Sequence, residues 1–236
     1  MAVLPDPCRW DLPDLEAALP GEDVVAIGAD LDVSTVFEAY CRGMFPMHLQ
    51  TGELAWWSPD PRGVLPLDQL RVTRSLRQSM KSFTFTVDRD FAGVMRECAD
   101  ERRDSGWITA EFIDTYTRLH QMGWAHSVEV WRDDDLVGGL YGIEIGGLFA
   151  GESMFHRVTD ASKAALVVLV DRLRAGGADR VLDVQWCTAH LASLGAVELP
   201  RTEYLARLGA ALPLSPCLAP RTNLAPRTSL SAGTNG

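Results

Sequence analysis

Apolar residues recur along this chain with two different periods, and each period predicts a different element. Phe83-Thr84-Phe85-Thr86-Val87 alternates with period two, the mark of a strand with one buried face. Phe91, Val94, Met95 and Cys98 return at helical spacing, as do Phe112, Ile113, Tyr116 and Leu119 after Thr109. Both stripes read as core. A meander of three strands follows over 126–131, 136–144 and 147–155, with turns at 132–135 and 145–147. Period two places Leu148, Ala150, Glu152 and Met154 on one face of its last strand. Asp160 is placed to cap a helix with Leu166, Val167, Val170 and Leu173 buried, and Gly176-Gly177 stops it. A strand over 181–186, a short helix and a closing strand at 197–199 complete the pattern.

The first sixty residues are less periodic. Pro5, Pro7, Pro13, Pro20 and Gly21 break them up, and Ser34 is placed to cap a short helix carrying Val36, Phe37 and Tyr40. Trp56-Trp57-Ser58-Pro59-Asp60-Pro61-Arg62 cannot be regular helix, because each proline pushes the residue before it towards extended backbone. It predicts a rigid aromatic segment, with at least one ring filling the seam between a small N-terminal lobe and the main domain. Beyond 211 the chain turns to Pro, Ser, Thr and Asn without apolar period. The division expected is an N-terminal lobe at 1–62, a catalytic domain at 63–211 and a disordered tail at 212–236.

Composition adds little to this picture until charge is mapped. No apolar run approaches the ~18 residues of a membrane span. The N-terminus lacks a signal-peptide pattern, and five scattered cysteines without Cys-x-x-Cys point to a reducing cytoplasm. The net charge of −10 argues against a generally nucleic-acid-coating surface. Between 62 and 87, however, Arg62, Arg71, Arg74, Arg77 and Lys81 stand against Asp68 alone, a local +4. Arg74, Arg77 and Lys81 share one helical face, a solvated stripe or a phosphate contact.

Dinucleotide, P-loop and Gly-x-Ser-x-Gly motifs are absent, and the histidines lack metal-ligand spacing, so neither cofactor nor metal is expected. Cys187 and His190 make only a weak thiol–imidazole pairing. More telling is the strand at 181–186, where Asp183 and Gln185 fall on one face of an otherwise apolar run. Such polar groups are costly in a buried strand unless partnered. They are either backbone caps or a site.

The order helix, helix, meander, helix, strand, short helix, strand resembles the GCN5-related N-acetyltransferase fold, so the fold class expected is α/β (α+β) with a small N-terminal lobe. In that fold a glycine-bearing loop before the helix cradles the coenzyme A phosphates. Here Phe155-His156-Arg157-Val158-Thr159-Asp160-Ala161-Ser162 has no glycine, and Asp160 sets a negative charge where phosphates would lie.

Gly28-Ala29-Asp30-Leu31, Gly43-Met44-Phe45-Pro46, 56–62, Gly106-Trp107-Ile108-Thr109, 126–131, Gly138-Gly139-Leu140-Tyr141-Gly142, Gly151-Glu152-Ser153-Met154-Phe155, Ala161-Ser162-Lys163 and 192–196 occur in order. Together they resemble the leucyl/phenylalanyl-tRNA–protein transferase family, over nearly the whole chain to about residue 208. The resemblance implies transfer of Leu or Phe, less readily Met, from aminoacyl-tRNA to proteins with N-terminal Arg or Lys, which marks them for N-degron degradation. It implies catalytic positions at Asp183, Gln185 and Glu152. An aminoacyl-adenosine pocket is implied at Trp56 or Trp57, Trp107, Leu140, Met154, Leu166 and Leu169, and tRNA contacts at Arg71, Arg74, Arg77 and Lys81. Thr188 stands where relatives often carry Asn. A cytoplasmic monomer is expected. The rival readings are a coenzyme A-dependent N-acyltransferase and a non-catalytic N-degron or RNA-binding module.

Overall fold

A computed structural model describes residues 2–100 and 107–218. Gly106 and the tail beyond Leu218 lie outside the described residues. The N-terminal lobe is built on β1 (Val24–Ile27), α1 (Val33–Cys41), β2 (Phe45–His48) and β3 (Leu54–Trp57), the strands forming an antiparallel sheet in the order β1-β3-β2. Asp32, not Ser34, caps α1: its carboxylate accepts the Ser34 N–H. A side chain just ahead of the first turn can reach its free amides, whereas Ser34 already lies within the helix.

The second sheet draws on β4 (Arg62–Val64) and, after α2 (Arg74–Ser79), on β5 (Thr84–Val87). Next come α3 (Phe91–Cys98), α4 (Ala110–Gln121) and the meander β6 (Ala125–Arg132), β7 (Asp135–Ile145) and β8 (Leu148–His156). The chain ends through α5 (Ala161–Ala175), β9 (Val181–Gln185), α6 (Ala189–Leu194), β10 (Val197–Leu199) and α7 (Arg201–Ala211). The seven strands lie in the order β10-β4-β9-β8-β7-β6-β5, antiparallel except for the β8–β9 pair. This is the expected mixed α/β architecture with its small N-terminal lobe. One sheet face packs on α1, α3 and α4 through residues such as Val94, Phe112 and Tyr141. The other packs on α5 and α2 through Leu76, Leu140, Leu166 and Leu169.

Two features of β8 place the site. Its pairing with β9 runs only from Leu148↔Val181 to Ala150↔Asp183, so beyond that point the two strands have no shared ladder. On its other side Tyr141 faces Ser153 and Gly142 faces Gly151, which leaves Glu152 as the extra residue of a β-bulge. The bulge corrects the single-face reading of this strand. Leu148 and Ala150 belong to the first core, whereas Met154 packs against the second.

Two further expectations change. Asp160 occupies the position before α5 in a left-handed conformation (φ 69°) and makes no cap bond; its carboxylate instead accepts Ser79 Oγ and pairs with Lys163. The described part of the expected tail, up to Leu218, packs against the domain. The Cys217 and Leu218 N–H groups donate to Glu144 at 2.7 and 3.0 Å, and Leu218 is fully buried. Backbone amides on a buried carboxylate satisfy both partners, a contact that composition does not announce.

Candidate active site

Asp183 lies at the last β8–β9 pair and is wholly buried. Its partner comes from β4. Arg62, 1% exposed, donates Nε to Asp183 Oδ1 at 2.9 Å and Nη2 to Oδ2 at 2.6 Å. Tyr204 on α7 donates its hydroxyl to Oδ2 at 2.8 Å, and the Gln185 backbone N–H donates to Oδ1 at 2.9 Å. The Asp183 charge raises the Arg62 pKa against the opposing pull of burial. Arg62 is therefore no part of the surface charge, and the local excess of the 62–87 segment falls from +4 to +3.

Gln185 ends β9 with φ 57°, left-handed for a residue with a side chain, so strict alternation with Asp183 stops there. Its Nε2 donates to Glu152 Oε1 at 3.0 Å. The turn runs against β4 at Gly63, where a Cβ would come within 2.7 Å of the Trp186 and Cys187 backbone. Only glycine admits that approach.

Glu152 is half-buried. Tyr40 on α1 donates to its Oε1 at 2.7 Å and Tyr116 on α4 to Oε2 at 3.2 Å, while the two hydroxyls lie 2.6 Å apart. Burial raises the Glu152 pKa to about 7, with Asp183 adding to it; the tyrosine hydrogen bonds and Arg62 pull the other way without offsetting it. Burial, then the Glu152 charge, keeps both phenols neutral donors.

The aromatic positions divide. Trp56 is 1% exposed, with Nε1 on the Gly28 carbonyl; it is core, not cleft wall. Trp57 is half-buried and meets Trp186, next to Gln185, edge-on at 5.7 Å. Trp107 lies edge-on to Phe112 at 5.4 Å, and Phe112 stacks towards Tyr116. Leu140, Leu166 and Leu169 are buried, and Met154 half-buried, on the α5 face beneath the bulge. Arg71, Arg74, Arg77 and Lys81 are exposed and form no ion pair with a described residue.

Other readings find less. Cys187 and His190 share no hydrogen bond, and burial followed by Glu198 raises the thiol pKa. Thr188 is used as the α6 cap, accepting the Leu191 N–H. Among the described residues no three His, Cys, Asp or Glu side chains are grouped to hold a metal, and no helix is long and apolar enough to cross a membrane. A cavity of about 210 Å³ lies at the start of β9, lined by Val64, Arg180 and Leu182 among others but by none of these groups.

Four site residues escaped sequence reading. Tyr40 and Tyr116 were counted as core stripe, Arg62 as surface charge, and Tyr204 not at all. A hydroxyl within an apolar helical stripe was the available signal for the first two, since buried phenols need partners.

Two carboxylates, an amide and two phenols thus meet where β8 and β9 separate. A family model described as leucyl/phenylalanyl-tRNA protein transferase matches residues 64–209, and one for that family's N-terminal domain matches 29–60. The proteins named leucyl/phenylalanyl-tRNA–protein transferase from Nitrosospira multiformis and Tolumonas auensis are 49% and 48% identical, covering 83% and 82% of this chain and 86% and 84% of their own length. That of Ruegeria sp. is 47% identical over 85% of this chain and 99% of its own. The chain belongs to the leucyl/phenylalanyl-tRNA–protein transferase family and is a transferase enzyme.

Proposed function

We propose that this chain transfers leucine or phenylalanine, and methionine less readily, from charged tRNA to the α-amine of proteins beginning with Arg or Lys, marking them for N-degron degradation. The observation that carries this reading is Glu152: a half-buried carboxylate at a β-bulge, held by Tyr40 and Tyr116 and touched by Gln185. When ionised it is an acceptor for a basic first residue, and it lies one hydrogen bond from the amide that meets the amine.

The reaction is aminolysis of an ester. The α-amine attacks the aminoacyl carbonyl, the C–N bond forms, the ester C–O bond breaks, and a proton passes to the released ribose oxygen. An α-amine is already roughly 10–15% neutral near pH 7, so deprotonation contributes only about tenfold. Positioning offers more, with effective molarities of ~10⁵ M or higher. Gln185 orients the amine through its Oε1, which receives no hydrogen bond from a described residue. Trp57 and Trp107 offer stacking surface for the terminal adenosine. Leu140, Met154, Leu166 and Leu169 take the aliphatic or aromatic side chain. The proposed setting is a monomer working in the cytoplasm.

The Arg71, Arg74, Arg77 and Lys81 stripe attracts the acceptor stem without reading sequence. Asp160, bonded to Ser79 where a coenzyme A phosphate would lie, weighs against the acetyltransferase reading. Incubation with Leu-tRNA and a peptide beginning with Arg should yield the leucylated peptide; no transfer rejects the proposal. Replacing Arg74, Arg77 and Lys81 together should reduce the log–log salt slope of tRNA binding by about 2–3, since each phosphate contact contributes ~0.9. An unchanged slope excludes the stripe.

A further inference from the structure

Asp183 has no capacity left for a substrate. An ionised carboxylate offers about four lone-pair sites. Arg62 Nε and the Gln185 N–H take Oδ1, while Arg62 Nη2 and the Tyr204 hydroxyl take Oδ2. Arg62 is closed off in the same way. Its Nη1 donates to the Gly43 carbonyl at 3.1 Å, and its guanidinium lies 4.9 and 4.5 Å from the ring centroids of Phe45 and Tyr204. The pair is formally neutral and fully buried, and its carboxylate is saturated, so it lends little net potential to a cationic acceptor. Among the described residues, what it touches towards Glu152 is the backbone N–H of Gln185.

That contact has a purpose. Gln185 is held at φ 57°, a region costing on the order of 1–3 kcal/mol for a residue with a side chain. The turn directs its amide to Glu152 on the neighbouring strand. We infer that Arg62 and Tyr204 are positioning residues of the proposed aminoacyl transfer: they clamp Asp183 as a fixed acceptor that pins the Gln185 backbone, and the charge of Asp183 takes no part in the chemistry. The inference rests on the function proposed above and separates from it by its own readout.

The test uses the full chain with charged tRNA and an Arg-starting peptide. Arg62→Lys and Tyr204→Phe should lower kcat, Arg62→Lys by up to ~100-fold, the size of a misplaced reacting group. KM for either substrate should stay within about twofold, since ground-state contacts are intact. Asp183→Asn alone strands Arg62 as a buried unpaired cation. The double variant Arg62→Gln/Asp183→Asn removes both charges and keeps an oxygen facing the Gln185 N–H. It should recover at least ~10-fold of the kcat lost in Asp183→Asn. A double variant that folds, by its circular dichroism and cooperative melt, yet is as inactive as Asp183→Asn overturns the inference, because the carboxylate charge would then be required.

Amide hydrogen exchange supplies the arm independent of turnover. The Gln185 N–H should exchange about tenfold faster in Arg62→Lys than in the parent, relative to Leu182, as a locally opened bond does. Unchanged exchange overturns the clamp. A parent that transfers no leucine but shows the faster Gln185 exchange in the variant rejects the proposed function and leaves the clamp standing.

Discussion

Asp183 and Glu152 are neighbours across the β8–β9 seam, one at its last ladder pair and the other two residues past it. Both sit in a buried setting, and both accept tyrosine hydroxyls. Asp183 has Arg62 against it and no lone pair to spare. Among the described residues Glu152 is bound by neutral donors alone, and burial lifts its pKa to about 7. The difference teaches how one fold keeps a paired charge and a titratable charge side by side. A carboxylate given a full counter-charge becomes scaffold, while one given only neutral hydrogen bonds stays titratable and open to a cationic ligand.

The harshest way to break the contrast is to empty the closed cluster. Asp183→Ala should cost about 3–5 kcal/mol, because Arg62 is then a buried unpaired cation. Urea denaturation would report the loss; a cost below about 1 kcal/mol would mean that Arg62 reaches water instead. Next in size, Glu152→Gln should raise the acceptor KM by roughly 10–100-fold, the worth of a charge-assisted hydrogen bond, while leaving tRNA affinity unchanged. In the parent, acceptor KM should also rise as pH falls below about 7 and Glu152 takes up a proton. The Gln variant should lack that dependence.

The stability effect is smaller and its sign follows from linkage. A carboxyl whose folded pKa lies above its ordinary value of 4.5 holds its proton more tightly when folded, so stability falls as pH rises from 4.5 through about 7. Thermal melts should show the parent losing on the order of 1–2 kcal/mol relative to Glu152→Gln between pH 5 and 8, allowing for water on the cleft side. The smallest change is Tyr116→Phe. Removing that donor to the ionised form should push the Glu152 transition upward by a fraction of a pH unit and cost ~1 kcal/mol. A downward movement would show that Tyr116 favours the neutral acid.

The meander, its flanking helices and the strand carrying Asp183 were legible because periods of two and 3.6 are properties of a few consecutive residues. The same rule misplaced Met154, since a single extra residue at Glu152 reverses the faces beyond it and leaves no mark in the apolar pattern. It also missed the α1 cap and the docking of Cys217 and Leu218, where particular hydrogen bonds override composition. The family likeness pointed to Asp183, Gln185 and Glu152 without saying what holds them.

What the sequence determined by itself, then, is the α/β architecture, the family and the presence of polar groups on a buried strand. Only the tertiary structure decided that Arg62 reaches Asp183 across 121 residues and Tyr40 reaches Glu152 across 112. Element type follows from local backbone geometry, whereas the state of a buried charge depends on what chain closure brings within hydrogen-bond reach. Which carboxylate meets a full counter-charge and which meets neutral donors is therefore a property of the fold.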